Sequence, residues 1–347
     1  MAFPGGLLAV SLALLYAAEG QPPAPDWVPR LISAEEAADG FYPLYNGSDL
    51  DGWTVTGPNK DAFLMQGEVL AITGEGSGEW LVTTEPYDQF VLRYGFRMIT
   101  EAGRQGAPPE QTGSGSKKGD TPRTTRAEKR GQGASQQVVQ MLSAATLGDR
   151  PLGEWNEAEV VCKGGRLHTL VNSVEVGEGP AQAGYVGIQD WGQRVEFRDI
   201  RIKPLPGGPG WSRWDGKAGA ALPESFELRF RFKPSPDSRG GVVFASKKSR
   251  PLFEVRIDNH AAEEFTGSIA GKAEALELRA LDDCWNPMRI AVDGPNIRVW
   301  VNGKTIVDFV STRRASCAGA GIRFKVDRGS IEFEDIEVRT KEQHHGD

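Results

Sequence analysis

The sequence predicts an all-β protein made of two tandem β-sandwiches, and three observations lead to this fold class. A set of motifs occurs twice, short stretches alternate apolar and polar residues, and turn-forming glycine (43) and proline (22) are abundant among the 347 residues. Alternation with a period of two is typical of strands that bury one face. Many short strands separated by glycine turns favour a sandwich, and the length suits two domains.

The repeated motifs keep their spacing in both halves of the chain. In each copy a Trp-Asn pair is followed by a Val-Asn pair, and the Trp lies 17 positions before the second Asn. The first copy comprises Trp155-Asn156, Val171-Asn172 and residues 195–202, and the second comprises Trp285-Asn286, Val301-Asn302 and residues 331–338. Solenoid units are only ~20–50 residues long, and the separation of the two copies, from Trp155 to Trp285, is much longer. The repeat therefore indicates a duplicated domain. We expect both tryptophans in the core.

Strands and one helix can be placed from local patterns. Asn302-Gly303 separates two alternating stretches and predicts a two-residue hairpin, because both central positions of its turn need a positive φ. Ser33 and Glu36 form a capping box, which predicts a short helix over residues 33–38. Alternating apolar residues that predict buried strand faces are Phe90, Leu92, Tyr94 and Phe96 in the first half and Phe226, Leu228, Phe230 and Phe232 in the second.

The N-terminal residues 1–20 resemble a signal peptide in composition. Residues 7–18 form an apolar run with the length of a signal h-region, which is too short to span a bilayer. Small residues at 17, 18 and 20 offer a cleavage site, although no Lys or Arg precedes the run. We therefore expect a secreted or periplasmic protein, with no transmembrane segment later in the chain.

Composition also predicts the domain boundaries. An extended linker is expected over 21–30, a first sandwich over 31–205, a second linker over 206–212, a second sandwich over 213–340 and a tail over 341–347. Residues 101–136 contain no aromatic residue and no Val, Leu or Ile. Such a segment cannot bury enough apolar surface to offset its ordering entropy, so it is predicted to be a disordered insertion.

Charge and motif content exclude several functional classes. The net charge is −7 and the isoelectric point is about 5.4, so the chain lacks the basic footprint of a nucleic-acid-binding protein. The signatures of serine hydrolases (GxSxG), zinc proteases (HExxH), P-loop enzymes and dinucleotide-binding enzymes are absent. Three cysteines without CxxC spacing argue against a disulfide framework, and pairing of Cys284 with Cys317 stays open.

Several motifs, taken together, carry a resemblance to a known family. They are EAADGF at 36–41, LYNGSDLDGW at 44–53, WLVT at 80–83, GEWN at 153–156, GIQD at 187–190 and FRDIRI at 197–202. This series resembles the 3-keto-disaccharide hydrolase domain family, and the second half resembles it more loosely through GGVVF at 240–244, LFEVRID at 252–258 and TGSI at 266–269. The resemblance implies concanavalin-like jelly-roll sandwiches and a carbohydrate ligand on a concave sheet face.

The first half departs from the family pattern at its polar positions. Val138 and Ser143 stand where the family has carboxylates, and Trp191 stands where a His is frequent. The family's Asn-Ser-Gly strand and its Arg are also absent from this half. We therefore expect any catalytic centre in the second domain or between the two domains.

The strand at 252–258 supplies the candidate catalytic residues of the second half. Period-two alternation sends Glu254, Arg256 and Asp258 to one face, with Glu254 and Asp258 about 13 Å apart at roughly 3.3 Å per residue. This exceeds the ~5 Å or ~6.5–9.5 Å of ordinary glycosidase carboxylate pairs. The chemistry implied by the resemblance is different, since a base removes the acidic proton next to the ketone of a 3-keto sugar and the glycosidic substituent is eliminated.

In that scheme Glu254 or Asp258 is the base or a metal ligand, Arg256 stabilises charge, and His260 is an auxiliary acid or substrate-binding residue. The alternatives are a solvated cross-strand salt bridge for the three strand residues and a surface turn for His260. A divalent metal is left open as a cofactor. Tryptophans expected to serve as sugar platforms, because they lie in glycine- and charge-rich loops, are Trp191, Trp211 and Trp214.

Two functional hypotheses remain open from the sequence. One is an exported enzyme that cleaves 3-keto-glycosides by elimination and hydration. The other is a carbohydrate-binding or surface-interaction protein in which both domains have lost catalysis. The family resemblance favours the first hypothesis, and the missing polar groups of the first half favour the second.

Overall fold

The computed structural model describes residues 25–75, 78–99, 138–140, 150–190, 192–214, 222–245, 251–311 and 317–340. The predicted signal peptide, the insertion at 101–136 and the tail at 341–347 lie outside these ranges. The all-β prediction is confirmed, since strands dominate the described ranges and the two α-helices found there have only four and five residues. None of the helices in the described ranges has the length and apolar character needed to cross a bilayer.

The first half forms two facing sheets around one core. The larger sheet has the order β10-β9-β8-β6-β12-β4-β3, with β1 added to β12, and the smaller has the order β2-β5-β11-β7. All pairings are antiparallel except that of β11 with β7. The strands are β1 Tyr42–Pro43, β2 Trp53–Thr56, β3 Phe63–Gln66, β4 Val69–Ile72, β5 Trp80–Thr83, β6 Phe90–Met98, β7 Val138–Gln140, β8 Asn156–Lys163, β9 Arg166–Val171, β10 Val174–Pro180, β11 Tyr185–Gln189 and β12 Val195–Pro204.

The second half also forms two sheets around a separate core. Six strands pair in the order β13-β21-β14-β17-β18-β19, and three pair in the order β16-β15-β20, which is the small sheet of this half. The strands are β13 Ser212–Arg213, β14 Ser225–Pro234, β15 Arg239–Ala245, β16 Pro251–Ile257, β17 Asn286–Asp293, β18 Asn296–Val301, β19 Lys304–Val310, β20 Gly321–Arg328 and β21 Ile331–Thr340.

The predicted alternation places the apolar side chains in the two cores. The named apolar positions of β6 and β14 are at most 2 % exposed. Phe244 of β15 stacks on Phe253 of β16 with ring centroids 4.3 Å apart. Burial of such aromatic side chains is the main source of stability in a sandwich, because each removes a large apolar area from water.

The short N-terminal helices also pack on the first core. Helix α1 (Trp27–Arg30) lies within the predicted linker 21–30, and it is ordered there because Trp27 is only 3 % exposed in the core. Helix α2 (Ala34–Ala38) begins as expected, with Ser33 accepting the Glu36 backbone N–H. The Glu36 carboxylate, however, binds Arg201 at 2.9 Å and Arg93 at 3.2 Å, two residues of the larger sheet. Only the bond to the Ser33 side chain forms, which is half of the predicted capping box.

The repeated asparagines make the same contact in both halves. The Asn172 amide donates to the Asn156 side-chain oxygen at 2.8 Å, and Asn302 donates to Asn286 at 3.0 Å. Asn172 and Asn302 have positive φ angles of 50° and 47°, a conformation that asparagine tolerates better than most residues. The motif thus encodes a hairpin whose turn is tied to the start of the neighbouring strand.

The hairpin predicted at Asn302-Gly303 joins β18 to β19. Gly303 has a φ of 76°, and a Cβ atom there would lie 2.4 Å from the Tyr42 ring of the first half. The glycine is therefore required both for the turn and for the close approach of the two halves.

The prediction that the repeated tryptophans lie in the core is wrong, since both are only half-buried. The Arg97 and Arg198 guanidinium carbons lie 4.6 and 4.3 Å from the Trp155 ring centroid. The Arg231 guanidinium carbon lies 5.5 Å from the Trp285 ring centroid. Each tryptophan covers the polar face of its sheet and has a cation above its ring, which the apolar residue type alone does not reveal.

Candidate functional site

Strand β16 carries the candidate catalytic residues, and its two faces separate as predicted. Phe253, Val255 and Ile257 are at most 3 % exposed in the second core. Glu254 and Arg256 therefore point to the opposite, outer face of the small sheet, and Asp258 directly follows the strand. Each of these side chains has a different partner.

Glu254 pairs with Lys325 of the neighbouring strand β20. The Lys325 ammonium lies 3.0 Å from a Glu254 carboxylate oxygen and 2.8 Å from an Asp327 oxygen. Burial alone would lower the pKa of Lys325, but the hydrogen bonds that its ammonium donates to Asp327 and Glu254 outweigh this effect, and the pKa is raised. Lys325 is therefore a cation at neutral pH, held directly against a carboxylate.

Gly241 of β15 keeps the space between β16 and β20 open. It pairs with Arg256 on one side and with Lys325 on the other. A Cβ atom at this position would lie 2.5 Å from the Val255 carbonyl oxygen and 3.2 Å from a Glu254 carboxylate oxygen. A glycine thus allows Glu254 to reach across the central strand to Lys325.

Arg256 and Asp258 are engaged with other partners. An Arg256 guanidinium nitrogen lies 2.9 Å from a Glu264 carboxylate oxygen, and Arg239 lies 3.1 Å from Asp258. Asp258 also accepts the backbone N–H of His260 at 3.2 Å. The structure therefore distributes the predicted residues over three ion pairs along the face.

His260 belongs to a polar cluster at the end of β16. Its Nε2 atom lies 2.7 Å from one oxygen of Asp282, and the other Asp282 oxygen accepts the Asn259 amide at 2.8 Å. The Asn259 side-chain oxygen accepts the Thr266 hydroxyl at 2.6 Å. These bonds fix the carboxylate that orients the imidazole, whose side chain is 42 % exposed.

The candidate carboxylates do not fit a metal site. Glu254 and Asp258 lie on opposite sides of Arg256 along the strand, and each already has a cation within 3.1 Å. Within the described residues, one group of possible metal ligands does occur elsewhere, formed by His168, Glu175 and Glu178 on β9 and β10. Its Glu178 is bound by Arg166, which competes with a metal ion for the carboxylate.

The predicted sugar platforms differ in their surroundings. The Trp211 indole N–H donates to Asp88 at 2.6 Å, and the guanidinium carbons of Arg229 and Arg339 lie 4.0 and 4.5 Å from its ring centroid. Trp214 packs against the edge of the second core and is half-buried. Trp191 lies outside the described residues. A sugar-binding role for each of the three tryptophans stays a prediction.

The predicted linker at 206–212 is held between the halves. The Gly207 backbone N–H donates to Glu337 at 2.8 Å, and the Gly207 carbonyl accepts from Arg229. Several cavities lie along this junction, and the largest of those described has a volume of about 470 Å³. The polar contacts between the halves thus leave cavities between them.

The sequence interpretation missed Lys325, Glu264, Arg239 and Asp282, which complete the charge pairs of β16. A signal existed for Lys325. It occupies, in GIRFK at 321–325, the place that Trp191 occupies in GIQDW at 187–191, where the family often has a histidine. The other three residues lie in loops and a strand start that carry no pattern linking them to β16.

Comparisons with known proteins identify the family. The model of the 3-keto-alpha-glucoside-1,2-lyase-like domain matches residues 40–203 and 220–339. No curated protein matches the chain. Similar solved structures include a candidate glycosyl hydrolase of Parabacteroides distasonis, with 19 % identity, a TM-score of 0.33 and coverage of 50 % of this chain and 98 % of the other.

A second candidate glycosyl hydrolase of the same bacterium has 22 % identity and a TM-score of 0.30, and it covers 38 % of this chain and 90 % of its own. The Caenorhabditis elegans galectin LEC-6 has 11 % identity and a TM-score of 0.27, with coverage of 38 % of this chain and 96 % of the galectin. At these TM-scores the similarities support no functional conclusion.

Proposed function

Since the chain belongs to the 3-keto-alpha-glucoside-1,2-lyase-like domain family, whose members are carbohydrate-active β-sandwich domains, we propose that it is an exported enzyme that cleaves 3-keto-glycosides. The proposed centre is the outer face of the small sheet in the second half. The observation that supports it is the Glu254–Lys325 pair, in which a carboxylate and an ammonium group lie 3.0 Å apart.

The proposed reaction needs one base and one cation. The proton on C2 of a 3-keto sugar is acidic because the neighbouring C3 carbonyl can accept the electron pair as an enolate. Glu254 removes this proton, and the enolate then expels the aglycone oxygen from C1, which leaves a C1–C2 double bond conjugated with the ketone. Water adds across that double bond to give the free 3-keto sugar.

The side chains around Glu254 suit these steps. Lys325 is charged at neutral pH and can stabilise the enolate oxygen as charge develops there. Arg256, on the same face, supplies a second cation. His260, oriented by Asp282, can protonate the leaving oxygen if the substrate extends toward the end of β16.

Turnover of 3-keto-glucosides tests this proposal. The purified protein is expected to release aglycone and to exchange the C2 proton for solvent deuterium. Glu254→Gln should lower kcat by at least about 100-fold, as loss of a general base does. Asp308→Asn is the matched control, because Asp308 pairs with Arg298 at the surface of the other sheet. This substitution should leave kcat unchanged.

Two outcomes would count against the proposal in different ways. Full activity in Glu254→Gln would keep the enzyme and reject this centre. No turnover by the unaltered protein across 3-keto-glycosides, with divalent metals added, would reject catalysis.

A second candidate function is carbohydrate binding without catalysis. The observation in its favour is that Glu254, Arg256 and Asp258 each have a counter-ion, so the face is a set of charge pairs. Paired planar side chains of this kind can hydrogen-bond sugar hydroxyl groups. Glycan binding that is retained without any turnover would support this function.

A further inference from the structure

A cavity of about 180 Å³ lies between the two halves, away from the face of β16. Its walls come from β1 and nearby loops of the first half and from the Asn302-Gly303 hairpin and the loop at Arg279 of the second. The volume is about six times the ~30 Å³ share of a water molecule in the liquid, which is room for one sugar ring. Among the residues that carry its polar groups are Tyr42, Asp51, Tyr87, Arg279, Asn302 and Lys304.

Arg279 is the unusual member of this wall. Its guanidinium makes no hydrogen bond or ion pair with any residue that the structure describes, and its Nε atom is fully buried. Its backbone carbonyl accepts the Asn302 amide at 2.6 Å, which fixes the main chain at the cavity. A guanidinium offers five N–H donors and stays charged in proteins, so unmatched burial is costly.

Carboxylates near Arg279 are engaged by other cations. Lys304 lies 2.8 Å from Asp51 and 2.5 Å from Glu277. Glu85, which also lines the cavity, is bound by Arg289. These acids act on Arg279 only at a distance, and none of them supplies the planar two-oxygen partner that its fork fits best.

The two tyrosines of the wall are compatible with an anion. Their hydroxyl groups lie 3.4 Å apart. Burial raises the pKa of Tyr42 and raises that of Tyr87 to about 12. Both phenols therefore stay neutral at physiological pH and can donate hydrogen bonds without repelling a negative charge.

We propose that this cavity binds a carboxylate-bearing sugar, a hexuronate, with the carboxylate held by the Arg279 guanidinium. The assignment of a sugar rests on the proposed carbohydrate function, whereas the assignment of a carboxylate rests on Arg279 alone. The ring hydroxyls face the tyrosine hydroxyls and the polar backbone of the hairpin. This would be a second ligand site, distinct from the one at Glu254.

Calorimetric titration of the full chain with sodium D-glucuronate, D-glucose and inorganic phosphate tests the proposal. Glucuronate is expected to bind at least tenfold more tightly than glucose or phosphate. Arg279→Met should weaken glucuronate binding at least tenfold, and Arg279→Lys should restore part of it. Arg298→Met is the matched control, because Arg298 is half-exposed and paired with Asp308. This variant should bind glucuronate as tightly as the unaltered protein does.

Thermal melting separates a binding defect from a folding defect. Without ligand, Arg279→Met should melt at or above the temperature of the unaltered protein, because it removes a charge that is desolvated without a counter-ion in contact among the described residues. Glucuronate should raise the melting temperature of the unaltered protein and of Arg298→Met, but not that of Arg279→Met.

Several results would overturn the proposal. They are equal binding of glucose and glucuronate, tighter binding of phosphate, no binding of glucuronate, or glucuronate binding that survives Arg279→Met. Turnover of 3-keto-glucosides depends on Glu254 and is measured separately. Its absence would reject the proposed chemistry and leave the result at Arg279 standing.

Discussion

Replacing Asp88 by asparagine tests the polar junction between the halves. The Asp88 carboxylate is 12 % exposed, lies 3.1 Å from Arg229, and accepts the Trp211 indole N–H at 2.6 Å. Asparagine keeps the size of the side chain but removes the charge that both donors face. Arg229, with a side chain 17 % exposed, would then keep one carboxylate partner among the described residues, Glu337 at 2.8 Å.

The expected loss of stability follows from the burial of the Asp88–Arg229 pair and from the contact that Arg229 keeps with Glu337. Removing one member of a buried ion pair costs about 3–5 kcal/mol, and the retained Glu337 contact places this case at the lower end. We therefore expect Asp88→Asn to lower the free energy of unfolding by about 3 kcal/mol. Urea denaturation followed by tryptophan fluorescence measures this quantity.

The control is Asp308→Asn at a surface pair. Asp308 and Arg298 have side chains 56 % and 48 % exposed, and such pairs contribute at most about 1 kcal/mol. Trp211→Phe, made in the unaltered protein and in Asp88→Asn, completes a double-mutant cycle. A coupling energy of about 1 kcal/mol between Asp88 and Trp211 is expected. If Asp88→Asn costs no more than Asp308→Asn, the argument that this junction is energetically important is refuted.

Two further predictions concern the hairpin and the thiols. Gly303→Ala should destabilise by at least about 2 kcal/mol in urea denaturation, because its Cβ atom would clash with Tyr42 in addition to the positive-φ strain. Gly319 has a similar φ of 79° and open space around it, so Gly319→Ala should show only the cost of the positive φ. Equal losses of stability in the two variants would contradict a clash with Tyr42. Burial raises the pKa of Cys317 to about 11, so the folded state keeps its proton above pH 9 while the unfolded chain loses it. Stability should therefore fall as pH rises from about 9 to 11 in urea titrations, and Cys317→Ser should flatten that fall.

Local patterns were sufficient for much of the fold. Alternation along β14 sends Phe226, Leu228, Phe230 and Phe232 inward, because successive side chains of a strand point to opposite faces. The hairpin at Asn302 was also predictable, since few residues accept its positive φ. These features depend on the chain immediately around them, and the sequence contains that information directly.

The sequence by itself determined the all-β class, the family and the face on which Glu254 and Arg256 lie. Only the tertiary structure decided their partners, because Lys325 and Glu264 come from segments whose approach depends on how the whole sheet folds. Arg279 shows the same limit, since nothing in the sequence of its loop indicates that it has no counter-ion among the described residues. Periodicity fixes the direction of a side chain, whereas electrostatic environment is a property of atoms brought together from distant positions.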